Sequence, residues 1–354
     1  MKYVQPRPSS IVAALYTLRD LGVDLAILHG PSGCSFKHAR LLEEEGVRVL
    51  TTSLGDEEFI FGGQQPLEDV LRYAEKEFTP KKIAVVGTCA SMIIGEDMNT
   101  AIKTSSISTP TIAVDIHAGF HENIDGVIAV LEPAASVGWI SSSELARQRR
   151  VLAAANAIEH QRGAACKTYI TPSRGDLKHV AAAKLLALAR AGKRGIAIMN
   201  AKKETAYMFA DELIALHDVA PNARIEYLAN LEERGLPKVR RDAASIFEQM
   251  QERGVKPLLC GALDEYGENG TAIAEKIAEV HPDFILLVGV PHAIVPEVLT
   301  NITVFSVTNG PRQVIPLKEQ GHTHVMVEID LHPKTLGVHT IVESEFGATL
   351  RSMA

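Results

Sequence analysis

Residues 24–34 read DLAILHGPSGC, an apolar run that leads directly into a glycine-rich loop and a cysteine. An almost continuous apolar run of this kind is typical of a strand buried on both faces of a parallel sheet. The same pattern recurs at residues 47–52, 83–86 and 111–114. Helical patterns separate these runs, as at residues 35–45 and 66–77. The alternation predicts an α/β fold built on doubly wound parallel sheets.

The α/β pattern resumes after residues 141–160, a long stretch rich in alanine and arginine that we interpret as a connecting helix. Further strands are predicted at residues 168–170, 195–199, 224–228, 257–260, 284–288, 303–307, 325–329 and 340–342. A chain of 354 residues is long enough for two to three Rossmann-like domains. We expect a first α/β domain over residues 1–140, a connecting helix over 141–165, a second α/β domain over 166–275 and a third α/β region over 276–354.

The bulk composition excludes several classes of protein. The formal net charge is −7, which argues against a general nucleic-acid binder. The sequence contains no run of about 18 apolar residues, so it predicts no membrane span. Residues 1–10 lack the apolar core of a signal peptide. Four cysteines in a chain of this size do not predict a disulfide framework. We therefore expect a cytoplasmic protein.

Cys34 and Cys89 are the candidate metal ligands. Each follows a predicted strand and small residues, Gly33 in one loop and Gly87-Thr88 in the other, which let the backbone approach a bulky group. Ligands of open α/β sheets bind at the carboxyl ends of the strands. A cysteine near a helix N-terminus is favoured as the thiolate, the form that binds iron. The alternative is that both cysteines act as small buried hydrophobic residues.

Four segments in the first third of the chain resemble nitrogenase component 1 and its relatives. Residues 29–34 (HGPSGC) and 88–97 (TCASMIIGED) are similar to two loops of that family that each hold a cluster cysteine. Residues 51–63 (TTSLGDEEFIFGG) resemble the family's Thr-Thr and Phe-Gly-Gly segment, and residues 111–120 (TIAVDIHAGF) resemble the strand that follows. The four segments occur in the family's order. The resemblance implies a nitrogenase component 1-like fold.

The resemblance also implies an iron–sulfur cluster, but the ligand count departs from the family. Related subunits usually have a further cysteine upstream, and none stands at residues 6–10. A cluster usually takes four protein ligands, and a symmetric homodimer would supply Cys34 and Cys89 twice to one 4Fe–4S cluster. The short, insertion-free chain resembles, within this family, the D components of Ni-sirohydrochlorin a,c-diamide reductive cyclases. Those enzymes contribute to the biosynthesis of coenzyme F-430, the nickel tetrapyrrole of methanogenesis.

Reduction by this family is coupled to ATP hydrolysis, which the chain itself is not built for. Its nearest approach to the phosphate-binding pattern GxxxxGK[ST] is at residues 187–194, which begin with Ala187 and place Arg194 after the lysine. No predicted strand is followed by GxGxxG. The resemblance therefore implies that ATP–Mg binds a partner similar to the nitrogenase iron protein, the cyclase component C, which supplies the electrons. Nickel would enter only as part of the substrate.

A carboxylate-rich tetrapyrrole needs arginine or lysine for its acidic groups, and a histidine can serve as its proton donor or nickel contact. Four residues at predicted strand ends are candidates, namely Arg174, Lys202, His292 and Arg312. Each has a surface or capping role as its alternative. The other histidines and cysteines that stand out are interpreted mainly as structural, namely His117, His121, His322, His324, His332, His339, Cys166 and Cys260.

Three other functions stay open on the sequence. The chain could be a subunit of a protochlorophyllide-type reductase, in which an unlike partner would supply the missing cluster ligands. A cofactor-maturation scaffold of the nitrogenase type would hold a nascent cofactor without reducing a substrate. A small-molecule binding protein with two buried cysteines would contain no iron.

Overall fold

The structure, a computed structural model of the chain, describes residues 9–116, 120, 122–164, 168–328, 335 and 337–354. These residues form two compact units. The smaller unit extends to Arg149 and also contains Leu236–Lys238, and the larger unit contains Arg150–Gly235 and Val239–Ala354. Each unit has its own parallel sheet, so the predicted α/β architecture is confirmed.

The smaller unit contains a four-stranded sheet with the strand order β2-β1-β3-β4 and parallel neighbours throughout. Its strands are β1 (Leu25–His29), β2 (Arg48–Thr51), β3 (Ile83–Gly87) and β4 (Thr111–Val114). Its helices are α1 (Ser10–Asp20), α2 (Phe36–Glu44), α3 (Asp56–Phe61), α4 (Gln64–Phe78), α5 (Cys89–Ile93), α6 (Met98–Ser105) and α7 (Asn123–Ser136). Helix α8 (Ser142–Gln161) follows, and Arg150 within it begins the larger unit.

The central strands of the smaller unit are held by apolar packing. Every residue of β1 and β3 is buried, as expected for strands covered on both faces. Leu25 and Ile27 of β1 pack with Leu67 and Leu71 of α4 and with further apolar side chains of β3 and α6. Each fully buried leucine or isoleucine contributes about 1.5–3 kcal/mol to this core. The core fixes β1 beside β3, and therefore the loops that follow these strands.

The larger unit contains a six-stranded parallel sheet with the order β10-β9-β8-β5-β6-β7. Its strands are β5 (Gly195–Asn200), β6 (Ile225–Ala229), β7 (Leu258–Leu259), β8 (Phe284–Gly289), β9 (Thr303–Thr308) and β10 (His324–Val327). Its remaining helices are α9 (Lys178–Arg190), α10 (Ala206–Val219), α11 (Pro237–Glu252, whose first two residues belong to the smaller unit), α12 (Gly270–Val280), α13 (Val314–Glu319) and α14 (Glu345–Arg351). Two 3₁₀ turns, Pro291–Ala293 and Pro296–Leu299, lie between β8 and β9.

The chain's second half departs from the expected elements in two ways. Strands from residues 166–275 and from 276–354 join in a single sheet, with β5 paired directly to β8. The predicted strand at residues 340–342 is wrong, since it joins no sheet, whereas at residues 168–170 only Thr168 makes a single β-bridge. The backbone at 340–342 instead bonds to helices, with the Ile341 N–H donating to Gln249 Oε1 at 2.9 Å. An apolar triplet alone does not distinguish a strand from a packed loop.

In the part of the chain that the structure describes, no helix combines the length and the apolar character needed to cross a membrane. This agrees with the sequence, which contains no long apolar run.

Candidate functional site

Cys34 lies in the loop that joins β1 to α2. His29 ends β1, and the chain then turns so that the Cys34 N–H donates to the Pro31 carbonyl oxygen at 3.1 Å. Ser35 adopts the left-handed conformation, with φ of 53°, immediately before α2 begins. Cys34 itself is half-buried. The loop therefore holds the thiol at the carboxyl edge of the sheet without burying it fully.

Cys89 occupies the corresponding position on the neighbouring strand. It is the first residue of α5 and follows β3 by one residue, Thr88. Strands β1 and β3 are paired with His29 opposite Gly87, so both cysteine loops leave the same edge of the sheet. Cys89 is also half-buried. Burial and, to a smaller extent, the neighbouring Cys89 raise the pKa of the Cys34 thiol.

The two cysteine loops touch directly at Gly30 and Thr88. A Cβ atom on Gly30 would lie 2.3 Å from Thr88 Oγ1, so only glycine leaves room for the Thr88 side chain here. The Thr88 hydroxyl donates to the His29 carbonyl oxygen at 3.0 Å. Thr88 and Gly87, which were expected beside a cluster, thus make contacts inside the protein. Gly33 is exposed, and a Cβ atom placed on it would meet no atom within 4 Å.

A buried histidine beside these loops connects them to a third loop. His29 is fully buried, and its Nδ1 lies 3.1 Å from Thr52 Oγ1 while its Nε2 lies 3.4 Å from Glu96 Oε2. Burial lowers the pKa of His29, although the hydrogen bond and charge of Glu96 oppose this. The imidazole is therefore neutral at pH 7 and has one N–H donor.

Six exposed apolar side chains surround the cysteine loops along the chain: Phe36, Phe59, Ile60, Phe61, Met92 and Ile93. We call this set the apolar rim. Ile60 is 74%, Phe61 81% and Ile93 73% exposed, values far above those of a core residue. The rim residues lie on α2, α3 and α5, which follow β1, β2 and β3. A set of large apolar residues at one edge of a domain is typical of a protein interface.

The donor chemistry fits an iron–sulfur cluster in kind but not in number. Cysteine sulfur is the usual ligand of such clusters, and Cys34 and Cys89 are both accessible thiols on adjacent loops. No group of three or more His, Cys, Asp or Glu side chains suited to a metal ion occurs among the described residues. Among the described residues, the two cysteine loops thus offer two thiols, and the apolar rim lies on the helices that follow the same three strands.

A second group of polar side chains lies in the larger unit, at the carboxyl ends of β5 and β8. Here the structure brings together Lys202 and His292, two of the four predicted substrate-site residues. Glu159 links them, with its Oε1 3.2 Å from His292 Nε2 and 3.6 Å from Lys202 Nζ. The Lys202 ammonium also lies 5.1 Å from the centre of the Tyr266 ring. Tyr266 and then Glu159 raise the pKa of Lys202.

This group lies where ligands of α/β sheets usually bind. From the neighbouring strands β5 and β8 the sheet continues in opposite directions, toward β6 and toward β9. Such a point opens a crevice outside the strand ends. Sequence reasoning missed Glu159 and Tyr266. Tyr266 follows β7 and has the same strand-end signal as the candidates, whereas Glu159 lies within a long helix and has none.

The other two substrate-site candidates are not part of this group. Arg174 is exposed. Arg312 donates from Nε to the Ile170 carbonyl oxygen at 3.1 Å, and its guanidinium lies 5.4 Å from the centre of the Tyr169 ring. These contacts fix a loop of the larger unit.

The C-terminal histidines occupy different environments. His322 is buried, and its Nδ1 lies 2.6 Å from Ser306 Oγ. His324 stacks on Phe305 with 5.0 Å between ring centres, and His339 is exposed. Cys260 is buried, and burial raises the pKa of its thiol to about 12, as expected for a core residue. His117, His121, Cys166 and His332 lie outside the described residues.

Comparison with known proteins identifies the family of this chain. Residues 11–133 match the family of nitrogenase component 1 type oxidoreductases. The chain is 53% identical to "Ni-sirohydrochlorin a,c-diamide reductive cyclase complex, component CfbD" of Methanosarcina acetivorans, over 99% of this chain and 97% of that protein. It is 46% identical to component CfbD of Methanothermobacter thermautotrophicus over 98% of each chain. A nitrogenase molybdenum-iron protein beta chain of Methanococcus maripaludis is 32% identical over 27% of this chain and 21% of that protein.

The alignments with the two CfbD proteins extend over both units of the structure. The nitrogenase family match, at residues 11–133, includes Cys34 and Cys89. The chain therefore belongs to the CfbD family of reductive cyclase components, within the nitrogenase component 1 type oxidoreductases.

Proposed function

We propose that this chain is the catalytic component of a nitrogenase-like reductase that reduces and cyclises Ni-sirohydrochlorin a,c-diamide in the biosynthesis of coenzyme F-430. Electrons come from an iron-protein-like ATPase, the cyclase component C, which also binds ATP–Mg. The identity to two CfbD proteins over nearly the full chain supports the reaction. The observation that carries the electron-transfer role is the placement of Cys34 and Cys89 on adjacent, half-buried loops.

A 4Fe–4S cluster is held between two copies of the chain in this proposal. Each copy contributes the thiolates of Cys34 and Cys89, which gives the four ligands that one chain lacks. The apolar rim supports a second copy as the occupant of this surface, because a second copy would both cover the exposed phenylalanine and isoleucine side chains and bring two further thiols. The cluster, when bound, supplies one-electron transfer. The protein contributes the ligands and the apolar surroundings that exclude water.

The substrate binds near the polar group of the larger unit. Nickel enters with the substrate. The Lys202 side chain is 39% exposed and can meet a substrate carboxylate, while Glu159 restrains both Lys202 and His292. His292 is buried and has an Nδ1 atom with no hydrogen-bond partner among the described residues. An imidazole held at one nitrogen by a carboxylate can exchange a proton at the other nitrogen.

The experiment that tests the cluster is anaerobic reconstitution of the full chain with iron and sulfide. We expect about four irons per dimer and an EPR signal after reduction. Cys34→Ala and Cys89→Ala should each lose most of the iron, because each removes two of the four ligands from a dimer. Cys260→Ala is the control, since that thiol is buried in the core of the larger unit. A colourless wild-type protein, or equal iron loss in the control, would refute the proposal.

A turnover assay separates a reductase from a maturation scaffold. With the iron-protein partner, ATP and the nickel substrate, a reductase forms more than one product molecule per dimer. Release of one bound molecule without further reduction would instead indicate a scaffold.

A further inference from the structure

One network of hydrogen bonds crosses the three loops that follow β1, β2 and β3. Its centre is the buried ring of His29, which contacts Thr52 of the second loop and Glu96 of the third. Thr52 Oγ1 also accepts the Gly30 N–H at 3.0 Å. Glu96 Oε1 accepts the Gly63 N–H at 2.6 Å. Every bond in this network connects residues at least 22 positions apart in the chain.

The chemistry of the partners fixes the direction of these bonds. A carboxylate only accepts, so the His29 ring donates Nε2–H to Glu96. Nδ1 of the neutral ring is then an acceptor, and it takes the hydroxyl hydrogen of Thr52. The lone pair of Thr52 Oγ1 takes the Gly30 N–H. Each group uses its single available donor once, so the network has one arrangement.

Glu96 has an unusual position in this network because it serves two loops other than its own. Its side chain is only 8% exposed. Its two acceptor bonds run to His29, which precedes the Cys34 loop, and to Gly63, which follows α3 of the apolar rim. Glu96 lies in the Cys89 loop, where its N–H donates to the Ser91 carbonyl oxygen at 3.0 Å. Nearby Glu58, by contrast, bonds to Gly55 at the start of its own helix.

We propose that Glu96 and His29 are positioning residues that set the spacing of the Cys34 and Cys89 thiols and hold helix α3 in register with them. The network thereby aligns the metal ligands with the apolar rim before a second copy or a cluster is present. Neither residue acts as a ligand or a proton donor in this inference. The inference rests on the proposed function only for the identity of the group that the thiols hold.

The spacing is measured in the full chain without iron. Dibromobimane becomes fluorescent when it bridges two thiols, and Cys34→Ser and Cys89→Ser identify the signal that needs both. Glu96→Ala should lower the bridging yield severalfold, while each thiol still reacts with the monofunctional reagent. Glu96→Gln should retain most of the yield, because the amide keeps the Gly63 bond and can pair with the other tautomer of His29. Unchanged bridging in Glu96→Ala would overturn the inference.

The matched control is Glu58→Ala, which removes a carboxylate that accepts a backbone N–H at 2.7 Å within α3 alone. It should leave the bridging yield at the wild-type level. Thermal unfolding of all variants separates lost positioning from lost folding. If Glu58→Ala lowers the yield as much as Glu96→Ala at equal thermal stability, general loosening of α3 explains the effect and the inference fails.

A second readout uses the reconstituted protein. Partners that orient metal ligands typically contribute about 10- to 100-fold in metal affinity. Iron release to a ferrous chelator should therefore be about 10-fold faster in Glu96→Ala than in wild type or Glu58→Ala. If wild type binds no iron on reconstitution but its thiol bridging still depends on Glu96, the cluster is refuted and the positioning role is kept. Stable iron in wild type and Glu96→Ala alike would refute the positioning role and keep the cluster.

Discussion

The two units of the chain carry their chemistry in opposite ways. In the smaller unit, Cys34 and Cys89 lie directly after adjacent strands, are half-buried, and are accompanied by an exposed apolar rim. In the larger unit, Glu159, Lys202 and His292 come from three distant segments, and His292 is only 4% exposed. The first arrangement suits a site completed by another molecule, and the second suits a site enclosed by one chain.

The two sites also differ in the interactions that hold their side chains in place. The cysteine loops are fixed by backbone contacts and by His29 and Glu96, so that the ligands remain available to a partner. The group around Glu159 is held by charge and hydrogen bonds, which are stronger where water is excluded. Surface changes should therefore affect assembly in the smaller unit, and charge changes should affect stability in the larger unit.

The largest expected effect comes from a charge in the apolar rim. Phe61 is 81% exposed, so Phe61→Asp should leave the subunit folded but weaken the dimer at two symmetry-related positions. Losing an aromatic hot-spot contact costs about 2 kcal/mol at each of the two positions, or about 4 kcal/mol per dimer, so we expect at least a 100-fold rise in the dimer Kd. Sedimentation at several protein concentrations measures it.

Leu177→Asp is the control for this prediction. Leu177 is 65% exposed but lies in the larger unit, at the N-cap of α9, where aspartate is a favourable residue. It should dimerise like wild type. A Phe61→Asp protein that stays dimeric would show that the rim is not the interface and would remove the main contrast between the units.

The two sites also differ in how far the sequence alone could predict them. Strand ends followed by Gly-Pro-Ser-Gly-Cys and Gly-Thr-Cys placed Cys34 and Cys89 at carboxyl ends of strands, because that position depends on local pattern. The pairing of β1 with β3 then makes the two loops neighbours. The link between Lys202 and His292 depends on Glu159, which is 133 residues from His292. No local pattern encodes such a contact. Helix periodicity indicates only that Glu159 lies on a helix.

The same limit explains the other differences. Of His322 and His324, only His322 is fully buried against Ser306, although alternation along a strand predicts the same face for both. Strand β10 begins at His324, so His322 lies outside the alternating segment. The joining of residues 166–275 and 276–354 in one sheet likewise depends on the long-range pairing of β5 with β8, which the order of elements along the chain does not determine.

The next effect compares the buried histidines of the two units under acid. Burial, His292 and Lys318 lower the pKa of His322 from about 6.5 to about 4, whereas Glu96 partly opposes the lowering for His29. His322 binds a proton more readily in the unfolded chain than in the folded one. Its contribution to the free energy of unfolding is therefore fully present above pH 6.5 and is lost as the pH drops toward 4. The loss reaches about 1.4 kcal/mol per pH unit in that window.

Urea unfolding at pH 7, 6 and 5 tests this in His322→Gln. At pH 7 the variant should lose about 1 kcal/mol of folding stability, because the hydrogen bond to Ser306 is removed. Its stability should depend less on pH than that of wild type. His339→Gln, an exposed site, should reproduce the wild-type pH dependence. An unchanged pH dependence in His322→Gln would assign the acid sensitivity to other groups.

The smallest effect concerns charge in the enclosed group. Glu159→Gln keeps the shape of the side chain but removes the charge facing Lys202 and the strong acceptor of His292 Nε2–H. Since Lys202 is 39% exposed, water offsets part of the loss, and we expect about 1 kcal/mol of destabilisation. Glu268→Gln removes a comparable but more exposed pair with Arg150 and should cost about 0.5 kcal/mol or less. Equal losses in the two variants would mean that Glu159 lies in an environment no drier than the surface, and the contrast between an enclosed and a shared site would not hold for the larger unit.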